Sequence, residues 1–95
     1  MAIKNLRKNA RGRDCMVRIG GVCNHNPETV VLAHLGGGGM GAKRHDLHGA
    51  WCCSNCHDAL DGRNQNHACT PDELKLCHYE GVIRTQEVLI REGVL

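Results

Sequence analysis

The sequence predicts a small α+β domain stapled by a metal ion, and three observations carry that reading. The chain has 95 residues, room for one domain. It holds one Trp, one Tyr and no Phe, so it lacks the bulky side chains that dominate small cores, and a chain this short buries only roughly 60% of its unfolded surface. It also carries seven cysteines, three of which crowd the stretch from Trp51 to Asp61 beside His57, Asp58 and Asp61. A metal staple offsets a thin core. Disulfides would be the other use of so many cysteines, but the count is odd and the N-terminus has no apolar h-region of an export signal. The expectation is therefore metal binding in a reducing cytoplasm, and no apolar run approaches membrane-spanning length.

Residues 1–14 read as a basic N-terminal arm, and 15–95 as a single zinc-bound domain. The first 20 residues hold Lys4, Arg7, Lys8, Arg11, Arg13 and Arg18 against Asp14 alone, although the whole chain is only +2. Such a segment suits a polyanion such as nucleic acid. From Cys15 to Cys23, alternation around Gly20-Gly21 predicts a short hairpin. Asn24 to Glu28 is a loop by its turn residues. Thr29 to Leu35 is the strongest strand signal, rich in β-branched residues and ending at His34 and Leu35. Gly36 to Gly41 then make a loop, and Ala42 follows where a P-loop requires lysine. A short strand runs through Gly49-Ala50-Trp51. Ser54 is the expected N-cap of a helix to Leu60 that Gly62 closes. Thr70-Pro71-Asp72-Glu73 reads as a capping box opening the C-terminal helix, with Pro71 at its first position. That helix is expected to carry Leu76, Tyr79, Val82, Ile83, Leu89 and Ile90 on one stripe and to stop at Gly93. Gly81 inside it points to a kink or close packing.

Cys53 and Cys56 stand at C-x-x-C spacing and supply two thiolates; a closed zinc site needs four ligands. Cys15 and Cys23 flank the expected hairpin and are the first candidates to complete it, provided the turn is wider than two residues. Cys69 and Cys77 rival them but are separated by about 12 Å of helix at 1.5 Å per residue, so they should not share one ion; either alone could still contribute. Cys52 reads as a buried thiol. The string Cys53-Ser54-Asn55-Cys56-His57 also fits the haem c attachment pattern, which requires export and is set aside.

His57 then remains available on the opening turn of a helix, while His34 ends the strong strand. With Asp46, and with Asp61 one turn after His57, these residues could form a small divalent-metal site with one imidazole left as a base. The order of these features, a strand ending in histidine, a glycine-rich loop with Lys43 and Asp46, then Cys-x-x-Cys-His opening a helix, resembles the HNH endonuclease motif on a ββα-metal, treble-clef scaffold. More narrowly, Arg11-Gly12-Arg13-Asp14-Cys15, Val17-Arg18-Ile19, Gly21-Val22-Cys23-Asn24, Asn26-Pro27-Glu28-Thr29, Leu32-Ala33-His34 and Cys53-Ser54-x-Cys56-His57-Asp58 resemble the small lambdoid phage and prophage nucleases of the YbcO-like family, over nearly the whole chain. The resemblance implies a metal-dependent endonuclease that hydrolyses DNA phosphodiester bonds in phage or prophage DNA processing or recombination. In it His34 is the general base, His57 a ligand of the catalytic magnesium or manganese ion, and Asp46 the group that orients the base. The chain departs from many HNH motifs at Ala33, where a metal ligand often precedes the base, and at Asp61, where a second histidine is usual. A non-catalytic zinc module that binds nucleic acid or a protein partner is the alternative.

Overall fold

A computed structural model describes residues 6–35 and 45–94. The glycine run 36–41, Lys43 and Lys4 lie outside the described residues. The element order is α1 (Leu6–Asn9), β1 (Val31–His34), β2 (Gly49–Cys52), α2 (Ser54–Leu60) and α3 (Pro71–Arg91), with single 3-10 turns at Pro27–Thr29 and Asp46–His48. β1 and β2 pair antiparallel, with Val31 opposite Cys52 and His34 opposite Gly49. No helix among the described residues is long and apolar enough to cross a membrane.

A two-stranded sheet is marginal in water by itself, and α3 supplies the missing support. Every residue of β2 is buried. Among the described residues its outer edge pairs with no third strand, and the polar groups of Trp51 there find other partners. The Met16 amide donates to the Trp51 carbonyl at 2.7 Å. The Trp51 amide donates to Thr85 Oγ1 at 3.0 Å, and that hydroxyl in turn donates to the Gly81 carbonyl at 2.8 Å. Thr85 is the one buried polar side chain among the described residues. Around this seam Val17, Ile19, Val22, Val30, Ala50, Trp51, Val82 and Leu89 form the core, joined by Leu6 and Ala10 from the N-terminal segment. Arg13 lies 4.6 Å over the Trp51 ring and donates to Glu92 at 2.7 Å, tying that segment to the end of α3.

Three expectations are corrected. Cys15 to Cys23 is not a hairpin but a bend at Met16 and Val17 followed by a tight turn from Ile19: the Val22 and Cys23 amides both donate to the Ile19 carbonyl, and Arg18 and Gly21 take positive φ. No strand pairing joins the two sides of this segment, and Val17, Ile19 and Val22 are buried in the core from the turn itself. The N-cap of α2 is Cys53, whose sulfur accepts the Cys56 amide, and not Ser54. The apolar residues of α3 also divide between two faces. Val82 and Leu89 are buried, whereas Leu76, Tyr79, Ile83 and Ile90 are 59%, 51%, 62% and 56% exposed. At 100° per residue, steps of seven keep Leu76, Ile83 and Ile90 on their own line. The capping box forms as expected, with Thr70 and Glu73 bonded reciprocally.

Candidate functional site

Two clusters of titratable side chains stand out. The Sγ atoms of Cys15, Cys23, Cys53 and Cys56 all lie within 4.8 Å of one another, and that of Cys53 is 3.8 Å from that of Cys23. A tetrahedral ion with metal–sulfur bonds of ~2.3 Å would set its sulfurs about 3.8 Å apart, so the four thiols could hold a metal ion. Local geometry explains the convergence. The turns at Ile19 to Val22 fold Cys23 back toward Cys15, and the start of α2 brings Cys53 and Cys56 to one side. Backbone amides of Arg18 and Cys56 point at the sulfurs of Cys15 and Cys53. The Cys15 thiol is held well below its ordinary range by the neighbouring Cys52 and Cys56 thiols. Burial pushes Cys23 up to about 11. Cys52, fully buried, is pushed up by its hydrogen bond to the Cys15 sulfur and stays a neutral thiol outside the group of four. Cys69 and Cys77 do not join it.

The second constellation begins where β1 ends. His34 Nε2 lies 2.7 Å from Asp46 Oδ1, and Arg7 Nε donates to the same oxygen at 3.3 Å. The His34 hydrogen bond, then Arg7, holds the Asp46 carboxyl below its usual range. An ionised carboxylate only accepts, so His34 presents Nε2–H to it, which in the neutral ring leaves the lone pair at Nδ1. On α2, His57 Nδ1 lies 3.4 Å from Asp61 Oδ2. Arg63 caps this pair, 3.2 Å from His57 Nδ1 and 2.9 Å from Asp61, and also reaches Asp58 at 3.1 Å.

His34 is thus brought to Asp46, and His57 to Asp61. No hydrogen bond or ion pair joins the two pairs among the described residues, nor does a second group of three ligands gather as closely as the cysteines. Sequence reasoning missed three contributors. Arg7 and Arg63 are ordinary surface charges by spacing; only the fold brings Arg7 across 39 residues to Asp46. His78 on α3 is the third. Its Nε2–H donates to the Ala33 carbonyl at 2.8 Å. Burial pushes its pKa down, and neighbouring His57 and His34 act in the same direction.

Comparison with known proteins adds an independent line. A family model described as "Putative nuclease YbcO" matches residues 4–94. Two curated relatives carry that name, one from Escherichia coli K12 and one from Enterobacteria phage 82. Each is 50% identical over 94 residues, covering 96% of both chains. A solved structure, titled "Structure of a putative bacteriophage protein from Escherichia coli str. K-12 substr. MG1655", superposes with a TM-score of 0.80 at 47% identity. It covers 94% of this chain and 100% of that one.

Proposed function

The chain belongs to the family described as "Putative nuclease YbcO", and from that premise we propose that it is an HNH-like, metal-dependent endonuclease that hydrolyses DNA phosphodiester bonds in phage or prophage DNA processing. The observation that carries this reading is the His34–Asp46 pair at the end of β1, in a β1–β2–α2 succession whose helix opens with His57. The strand–strand–helix order supports a ββα-metal reading, and the four cysteines suit a structural zinc because soft thiolates in a tetrahedron favour that ion.

His34 Nδ1 takes a proton from water while Asp46 holds the ring and stabilises the imidazolium that forms. The water oxygen forms a new bond to phosphorus as the bond to the leaving sugar oxygen breaks. The His34 hydrogen bond, helped by Arg7, favours the ionised Asp46, so the carboxylate does not compete for the proton. His57 and Asp61 are the residues that would hold a divalent ion. Two protein donors suffice where substrate phosphate supplies further ligands, as is usual for magnesium. When bound, such an ion polarises the phosphate and stabilises the leaving oxygen.

Arg63 supports a second reading. Its guanidinium already lies against both His57 and Asp61, and a cation so placed suits a module that binds phosphate without cleaving it. Supercoiled plasmid incubated with the protein and magnesium, manganese or zinc separates the two readings. We expect nicking that His34→Ala reduces about 10²- to 10⁴-fold while circular dichroism stays unchanged. Plasmid binding without nicking would establish the module instead.

A further inference from the structure

A cavity of about 340 Å³ opens beside the second constellation, lined by Leu35, Leu60, Pro71, Leu74, Lys75, His78 and Tyr79. Its walls connect to the proposed catalytic residues on both sides: Leu35 follows His34, Leu60 precedes Asp61, and His78 is bonded to the carbonyl just before His34. The floor is aliphatic, while Lys75 and Tyr79 stand at the exposed rim. The chain has only two Trp, Tyr or Phe residues. Trp51 is sealed in the core at 2% exposure, whereas Tyr79 is half exposed at this rim.

We propose that this cavity receives an unpaired nucleobase flanking the scissile phosphate, and hence that the substrate is single-stranded or locally unpaired DNA. The proposal rests on the nuclease reading above. An unstacked base needs an apolar slot, an aromatic face and a cation for the adjoining phosphate. Leu60 and Leu74 supply the first, Tyr79 the second and Lys75 the third. A base inside an intact duplex is stacked on both faces and would have to be extruded to enter. A nucleotide whose phosphate lies against His34 therefore has its neighbouring base next to the slot, without leaving the protein surface.

The test uses oligonucleotides carrying 2-aminopurine at each position in turn, with binding followed separately by anisotropy. The full-length protein should change the 2-aminopurine emission at one position of a single strand or a bubble, and leave a fully paired duplex unaffected. Leu74→Trp, which fills the slot, should abolish that change. Tyr79→Ala should weaken single-strand binding about tenfold, with Tyr79→Phe restoring it, since one stacked base contributes roughly that factor or more. Anisotropy showing a bound strand with emission unchanged at every position would overturn the slot and leave the nuclease reading intact. Wild-type-like emission from Leu74→Trp would overturn it equally. Neither binding nor nicking of any substrate would defeat the nuclease reading, and this one with it.

Discussion

A carboxylate 2.7 Å from His34 Nε2 fixes which face of the imidazole is basic, and this makes Asp46 testable apart from His34. In Asp46→Asn the amide can turn its NH₂ toward Nε2, which favours the opposite tautomer and removes the lone pair from Nδ1. Nicking should fall on the order of 10- to 10³-fold, within the range for loss of a base-orienting partner, while the melting temperature barely moves because the pair is partly exposed. His78 makes a different prediction. Burial pushes its pKa below the ordinary value, so the unfolded chain binds more protons between the folded and unfolded pKa values. Its stability contribution is whole above the ordinary histidine value near pH ~6.5 and is lost as pH falls below it. Thermal melts from pH 7.5 to 5.5 should therefore drop less in His78→Gln, which keeps a donor toward the Ala33 carbonyl, than in the wild type. Local spacing marked His34, His57 and the cysteines, because strand ends, helix starts and C-x-x-C are short-range patterns. Arg7, Arg63 and His78 carry no such mark; their partners are set by how α1, α2 and α3 pack.

Among the elements, α3 decides whether the sheet is stable, and it packs tightly against the sheet layer at Gly81. A Cβ built there would sit 2.9 Å from Val17 Cγ2, 3.1 Å from the Val17 Cα and 3.2 Å from the Ala50 Cβ. Gly→Ala in an exposed helix gains about 1 kcal/mol in propensity. Here two of the three neighbours are a backbone atom and a strand Cβ that cannot swing away, and overpacking costs about 1–3 kcal/mol. Gly81→Ala should therefore lower the unfolding free energy from denaturant titration by a net 0 to ~2 kcal/mol; a stabilised variant would show that α3 can lift off β2. The sequence signalled close packing at Gly81 without naming the partner. The strands, α2 and the capping box of α3 were legible because each is written in adjacent residues. The Cys15 to Cys23 segment misled because three apolar residues with a glycine pair look like a hairpin, whereas a turn facing the core needs the same composition. The α3 stripe misled for a related reason: apolar content gives no direction until Thr85, a polar residue, is seen to face β2.

Across the whole molecule, the cysteine group joins the two halves of the chain. Cys15 and Cys23 belong to the turns before β1, Cys53 and Cys56 to the start of α2, and the two pairs meet at one point. If the four thiols hold an ion, removing it would free the turns carrying Val17, Ile19 and Val22, which are core residues, and so loosen the support of both β2 and α3. The divalent ion proposed for His57 and Asp61 would stabilise nothing comparable, since that pair lies on the surface of one short helix. Two metal dependences should therefore separate. Brief treatment with a weak chelator should stop nicking with unchanged circular dichroism, and added magnesium or manganese should restore it. A strong chelator, or Cys53→Ser, should release about one zinc per chain and unfold the protein, because metal binding at such a site is itself folding free energy; magnesium should then restore neither fold nor activity. Elemental analysis across the two treatments checks this directly. A chain that stayed folded after losing its zinc would show that the Trp51 seam alone holds the domain, and the thiol cluster would then need another explanation.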